Sequence, residues 1–106
     1  MNSARVTTGV KPLTIGSTEL FQLTPYLNGI LWQLSSATLY LVDPTGTTIT
    51  IAGSVSGYTN TAPWTVIGPE GTWVRAWKCV DAQGIVQYTL PFTMPVIASP
   101  GLPFLP

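Results

Sequence analysis

The clearest pattern in the chain is an alternation of apolar and polar residues near its C-terminal end. Every even-numbered position from 86 to 96 is apolar; these positions are Val86, Tyr88, Leu90, Phe92, Met94 and Val96. Successive side chains of a strand point to opposite faces, so residues 85–96 predict one strand with an apolar face, roughly 40 Å long. Residues 72–80 precede it, and the loop Asp81-Ala82-Gln83-Gly84 between them predicts a long β-hairpin, since glycine accepts positive φ.

Shorter apolar alternations predict further strands at residues 13–15, 17–24, 37–43, 47–52 and 64–67, with a short one around Val55. Pro44-Thr45-Gly46 is a strong turn signal, residues 25–29 predict a loop, and residues 30–34 are apolar without a clear period. No window shows a sustained helical period. Short strands separated by frequent turns indicate an all-β sandwich or barrel.

The first arm of the hairpin is apolar on both faces. Val74, Ala76 and Val80 share one parity, whereas Trp73 and Trp77 share the other. A strand with one solvated face should not have this composition, so one face must serve the core and the other be covered by something else.

Arg75 lies two residues from both Trp73 and Trp77 and shares their face. This spacing allows the guanidinium to stack on an indole, which is worth about 0.5–2 kcal/mol. Three interpretations remain open: a ladder of side chains that stiffens the sheet, a protein interface enriched in Trp and Arg, and a platform on which a sugar stacks.

Two prolines remove backbone N–H donors from the second arm of the hairpin. Pro91 and Pro95 share a parity, so both lack an N–H on the same side of the strand. That side cannot be a fully paired ladder, and the strand beyond about Leu90 is predicted to be a sheet edge.

Charge is scarce along the whole chain. Only 8% of its 106 residues are charged and the net charge is zero, whereas soluble domains average about 25% charged residues. Such a surface repels its own copies weakly, which favours a protein whose surface is largely covered by other protein. No basic patch indicates nucleic-acid binding, no apolar run approaches the ~20 residues that cross a bilayer, and the N-terminal residues show no signal peptide.

The sequence offers little catalytic chemistry. It has no histidine, which removes Ser-His-Asp, Cys-His and His-metal sites. The single Cys79 follows Lys78 and could be a nucleophile, but a buried strand cysteine is the simpler interpretation. Asp43 and Asp81 each begin a turn, where an Asp side chain accepts backbone N–H groups. We therefore expect no enzymatic activity, no cofactor and no metal site.

The chain divides into three predicted parts: an N-terminal arm of residues 1–11, a sandwich domain of residues 12–96, and an extended, apolar, proline-rich C-terminal arm of residues 97–106. The C-terminal arm holds Leu102, Phe104 and Leu105. Exposure of these side chains to water would forgo about 1.5–3 kcal/mol of burial each. They are expected either to fold back on their own domain or to dock on a neighbour, and the shortage of charge favours the neighbour.

The arrangement of these motifs resembles the immunoglobulin-like modules of tailed-bacteriophage virion proteins, such as baseplate upper proteins and small head or tail accessory proteins. The matching positions are Asp43-Pro44-Thr45-Gly46, Trp64, Gly71-Thr72-Trp73, Asp81-Ala82-Gln83-Gly84 and residues 86–96. The resemblance implies an immunoglobulin-like antiparallel sandwich of about seven strands and a particle component without catalysis. The chain departs from a true immunoglobulin domain because it lacks the pair of cysteines.

The sequence thus predicts a structural component of a phage virion, in the head, neck or tail, that binds other virion proteins or copies of itself. Assembly is expected in the host cytoplasm, without membrane or nucleic-acid partners. The interface is expected to include Trp73, Arg75, Trp77, Leu102, Phe104 and Leu105. The alternative is a module that binds carbohydrate on a host surface, with Trp32, Trp64, Trp73 or Trp77 as stacking platforms.

Overall fold

The structure, a computed structural model, describes residues 12–98, and this part of the chain is all β with no helix. The strands are β1 (Leu13–Thr14), β2 (Thr18–Leu23), β3 (Tyr26–Leu27), β4 (Ile30–Leu31), β5 (Ser36–Val42), β6 (Thr48–Ala52), β7 (Ser54–Ser56), β8 (Thr59–Thr65), β9 (Gly71–Val80), β10 (Val86–Tyr88) and β11 (Phe92–Ile97).

The strands form two main sheets and one small hairpin. The large sheet has the order β1-β11-β9-β5-β6, with β10 also paired to β9, and the small sheet has the order β2-β8-β7. All pairs are antiparallel except β1 with β11, which is parallel. Strands β3 and β4 pair only with each other and form the hairpin. Most strands lie where the alternation predicts them.

The core lies between the two sheets. The alternation in β5 is confirmed, because Ala37, Leu39 and Leu41 are all buried. Trp73 of the large sheet faces Trp64 of the small sheet, with 5.1 Å between the ring centroids. Burial of apolar area between the sheets supplies the main stabilising free energy of such a sandwich.

Two local predictions were wrong. Residues 25–29 are not only a loop, because Tyr26–Leu27 pairs with Ile30–Leu31 in the small hairpin. The strand predicted at residues 64–67 is instead Thr59–Thr65, which begins earlier and pairs with β2 from Asn60 to Thr65. Ser, Thr and Asn in its first half suggest a loop, yet Asn60 and Ala62 are fully buried, so tertiary contacts outweigh the low β propensity.

Gly53 is the corner at which the chain passes from the large sheet to the small one. It separates β6 from β7, and its N–H donates to the carbonyl oxygen of Ala37 at 2.8 Å. A Cβ added at this position would lie 2.8 Å from the same carbonyl oxygen and 3.0 Å from the ring of Trp77. The corner therefore requires a residue without a side chain.

Replacement of Gly53 by alanine is expected to lower the free energy of unfolding by about 1–3 kcal/mol, because the methyl group overpacks backbone and a buried ring. Urea unfolding followed by tryptophan fluorescence measures the change. Gly68→Ala is the control, since its Cβ would meet only a side-chain carbon of Ile15 at 3.6 Å. Equal effects at both positions would contradict the steric argument.

The second arm of the long hairpin is not one strand. Strand β10 pairs Tyr88 with Lys78, whereas β11 pairs Phe92 with Arg75. The three residues 89–91 on this arm therefore lie opposite the two residues 76–77 of β9. The extra residue is a β-bulge. The N–H of Thr89 donates to the carbonyl oxygen of Trp77 at 2.9 Å, and the N–H of Trp77 donates to the Thr89 hydroxyl at 2.8 Å. The hydroxyl replaces the carbonyl that an unbroken ladder would provide.

The bulge moves the apolar residues from one face of the sheet to the other. Val86 and Tyr88 pair with Val80 and Lys78 on the outer face, whereas Met94 pairs with Trp73 on the core face. Leu90, within the bulge, is 88% exposed. The prediction of one continuous apolar face from Val86 to Val96 is therefore wrong.

Replacement of Thr89 by valine should lower the free energy of unfolding by about 1–3 kcal/mol, because it leaves the Trp77 N–H without its acceptor at nearly constant side-chain volume. Chemical denaturation reports the change. Thr93→Val on the exposed outer face of β11 is the matched control and is expected to have little effect. A Thr89 variant as stable as the control would mean that water satisfies the Trp77 N–H.

The sheet edge predicted at the prolines is present in part. Pro91 lies just before β11 and Pro95 lies within it. The side of β11 away from β9 pairs with β1 only at Val96 and Ile97. The N–H of Ile15 extends this parallel pairing by donating to the carbonyl oxygen of Ile97 at 3.0 Å. Pairing on that side thus begins just after the last proline.

Candidate functional site

The two Asp-x-x-Gly loops have the same hydrogen-bond pattern. In the first loop the Asp43 Oδ1 accepts the N–H groups of Thr45 and Thr47, each at 2.9 Å. In the second, the Asp81 Oδ1 accepts those of Gln83 and Ile85 at the same distance. The glycines that end the turns have φ values of 95° and 85°. The predicted turn role of both carboxylates is confirmed.

Asp81 makes one contact that Asp43 lacks. Its Oδ2 accepts the indole Nε1–H of Trp32 at 2.9 Å, which joins the β9–β10 loop to the segment before β5. This bond is the main cause that lowers the pKa of Asp81, while the Thr45 hydroxyl is the main cause that lowers the pKa of Asp43. Both carboxylates are held ionised by groups that stabilise the local fold.

Arg75 does not stack on tryptophan. Its guanidinium carbon lies 4.8 Å from the ring centroid of Phe21 and 4.5 Å from that of Phe92. One ring comes from the small sheet and the other from the neighbouring strand β11, so the cation lies at one margin of the core. Burial lowers the pKa of Arg75. The cation–π contact predicted from the spacing exists, but with phenylalanine rings instead of indoles.

The four tryptophans are core residues. Their exposed fractions are 8% for Trp32, 7% for Trp64, 0% for Trp73 and 5% for Trp77. Trp32 borders an open groove, whereas a partner could not contact Trp73 or Trp77 without opening the sandwich. Strand β9 directs both indoles inward, because each pairs with a core residue, Met94 or Leu39. The expectation that these indoles form an interface or a sugar platform has no support in their positions.

The remaining sequence candidates are a cysteine and the C-terminal arm. Cys79 is 2% exposed and burial raises the pKa of its thiol. Leu102, Phe104 and Leu105 lie outside the described residues, as does the N-terminal arm of residues 1–11. Within residues 12–98, no group of three or more His, Cys, Asp or Glu side chains is placed to hold a metal ion.

The outer face of the large sheet is poor in charge. The strand pairs place on it Thr14, Ser36, Thr38, Tyr40, Val42, Thr48, Thr50, Ala52, Thr72, Val74, Ala76, Lys78, Val80, Val86, Tyr88, Thr93, Pro95 and Ile97. Lys78 is the one charged side chain among these strand positions. Val74, Ala76 and Val80 are only half-buried, so the apolar outer side of β9 predicted from sequence is present and faces away from the core.

A groove lies between the segment that follows β2 and the end of β10. Its volume is about 330 Å³, and Tyr26, Leu27, Trp32, Gln87 and Tyr88 contribute to its lining. Tyr26 is 62% exposed and Tyr88 is 63% exposed. Cys79 also borders it, and no charged residue does. Sequence reasoning missed this site because its two tyrosines lie far apart in the chain and belong to no shared motif.

No protein-family model matches the chain, and neither a curated protein nor a solved structure matches it significantly. In the described part of the chain, no helix has the length and apolar character needed to cross a membrane.

Proposed function

We propose that the protein is a non-enzymatic structural component of a phage virion that acts through protein–protein contacts. The observation that carries the proposal is the outer face of the large sheet, where Lys78 is the one charged side chain among the described strand positions. The apolar part of this face is formed by the half-buried Val74, Ala76 and Val80 and the exposed Val86 and Tyr88. Exposed apolar patches mark association surfaces on soluble proteins. The low charge of the whole chain, 8%, agrees with a surface that contacts other subunits.

The order of strands supports an immunoglobulin-like topology for this component. Immunoglobulin-like sandwiches join three central strands of one sheet in an order equivalent to β11-β9-β5 and stack them on a sheet equivalent to β2-β8-β7. In this proposal β6 is the additional edge strand of the larger sheet and the β3–β4 hairpin is an insertion before β5. The frame of two Asp-x-x-Gly loops is then shared with the virion modules that the sequence resembles.

Charge substitution on the outer face tests the proposed role. In the full-length chain, Thr50→Glu and Thr93→Glu together should weaken concentration-dependent association, or binding to partner virion proteins, at least about tenfold, which is about 1.4 kcal/mol. Thr65→Glu, which adds one charge at an exposed position of the small sheet, is the control, and the single variants Thr50→Glu and Thr93→Glu are compared with it. Analytical ultracentrifugation measures self-association, and mass spectrometry of purified particles detects incorporation.

Two results would contradict the proposal. One is a wild-type chain that neither self-associates nor binds any particle protein. The other is a gene whose neighbours encode no portal, capsid or tail protein. Equal binding by the outer-face variant and the Thr65 control would remove the outer face as the contact surface.

A further inference from the structure

The groove between Tyr26 and Tyr88 has the chemistry of a site for an extended apolar peptide. Two half-exposed tyrosines form part of its lining, Trp32 and Leu27 add apolar surface, and Gln87 offers an amide for hydrogen bonds to a peptide backbone. Grooves lined by aromatic side chains and free of charge bind proline-rich extended segments, because such segments lose little conformational entropy on binding. Its volume of about 330 Å³ falls in the range of ~300–1,000 Å³ found for specific ligand sites.

The chain itself contains a segment of this chemistry. Residues 99–106 read SPGLPFLP, with Pro100, Pro103 and Pro106 spaced by three residues and no charged side chain. Three residues make one turn of a polyproline II helix, so this spacing would place the prolines on one side of such a segment. The same spacing would place Leu102 and Leu105 on a second side and Phe104 on the third, and these are the side chains available to enter an apolar groove.

The path of the chain argues against binding within the same molecule. Strand β11 runs away from the groove, since its end at Val96 pairs with Gly71, whereas the groove borders Cys79 at the other end of β9. Gly71 and Cys79 are eight residue steps apart along β9, about 26 Å at the rise of a strand. The six steps from Ala98 to Phe104 span at most about 22 Å when fully extended, before any reversal of direction.

We infer that the groove binds the C-terminal segment, residues 99–106, of a second copy of this chain. The inference rests on the proposed function, because it names the partner for one of the contacts by which the protein assembles. The contact lies on the groove between β10 and the segment after β2; it shares Tyr88 with the outer face but does not include the outer-face residues Thr50 and Thr93. Each copy can donate its own segment while it accepts another, which allows both closed dimers and open chains.

Complementation between two full-length variants tests the inference. The groove variant carries Tyr26→Ala and Tyr88→Ala, and the segment variant carries Phe104→Ser. Each should self-associate at least about tenfold more weakly than the wild type in sedimentation velocity. A mixture of the two should regain a complex, because the groove variant still supplies an intact segment and the segment variant an intact groove.

The control is Tyr58→Ala, which removes a tyrosine of 45% exposure outside the groove and should leave association unchanged. Urea unfolding of each variant verifies that the substitutions do not unfold the chain. Loss of association in the groove variant alone would mean that another part of the partner occupies the groove, and absence of complementation would overturn the exchange between copies.

The outcomes separate this contact from the proposed function. A wild-type chain that associates as tightly as all the variants overturns the contact and leaves the proposed function standing. A wild-type chain that stays monomeric also overturns the contact, and the outer-face variants then decide the proposed function through binding to particle proteins.

Discussion

Replacement of Trp73 by alanine is expected to lower the free energy of unfolding by about 3–5 kcal/mol. Trp73 is fully buried, its ring lies 5.1 Å from that of Trp64 across the sandwich, and its Nε1–H donates to the carbonyl oxygen of Pro69 at 2.9 Å. The change removes the largest fully buried side chain and leaves a cavity between the sheets. Domains of this size are stable by only about 5–15 kcal/mol, so the loss is a large part of the total.

Chemical denaturation followed by far-UV circular dichroism measures this loss without depending on the removed fluorophore. Leu20→Ala is the control, because Leu20 is 57% exposed and its truncation should change stability little. Trp73→Phe should have an intermediate effect, since it keeps part of the ring contact and loses the bond to Pro69. A Trp73→Ala variant as stable as the Leu20 control would contradict the placement of this side chain at the centre of the core.

Replacement of Asp81 by alanine should destabilise the protein more than the same change at Asp43. The two loops make equivalent backbone bonds to Oδ1, but only Asp81 accepts the buried indole N–H of Trp32. Loss of that acceptor leaves a buried donor unpaired, which costs more than the loss of a solvated bond. The Asp43 variant loses the solvated bond from the Thr45 hydroxyl, whereas the Asp81 variant loses the buried bond from Trp32. A lower urea midpoint for the Asp81 variant is therefore expected, and equal midpoints would show that the buried bond adds no more stability than the solvated one.

The same carboxylates predict how stability depends on pH. The pKa values of Asp43 and Asp81 are both lowered in the folded protein from the ordinary value of 3.8. A group with a lowered folded pKa stabilises the fold above its unfolded pKa and loses that contribution as pH falls through the folded pKa. The urea midpoint of the wild type should therefore decrease below about pH 4, and this decrease should be smaller in the Asp81→Ala variant.

The inward faces of the strands were predictable because their alternation is strict. Leu39 and Leu41 lie where period two places them, and the Asp-x-x-Gly loops form the turns that their glycines favour. The bulge was not predictable, because the sequence alternates through Thr89 without a break while the backbone gains one residue there. After a bulge, the even-numbered residues lie on the opposite face of the sheet. In the sequence, only Pro91, which lacks a backbone N–H donor, indicated an irregularity in this strand.

The candidate sites were harder to predict than the strands for a physical reason. Both faces of β9 are apolar, so the sequence could not decide whether Trp73 and Trp77 face the core or a partner, and the structure directs both inward. The groove depends on Tyr26 and Tyr88, which come together only through the tertiary fold. The sequence shows how many apolar side chains the chain has, but which of them lie on an exposed face or in a groove depends on which strands pair.

The position of Cys79 makes the chain suitable for measurements of conformational opening by thiol labelling. It is the single cysteine of the sequence, it is 2% exposed, and burial raises the pKa of its thiol. Labelling by a thiol reagent therefore requires a fluctuation that exposes β9 beside the groove, so its rate reports the free energy of that opening. Because the groove borders Cys79, residues 99–106 of a second copy bound there would slow the labelling. The labelling rate of this one native side chain would therefore report on both local unfolding and association.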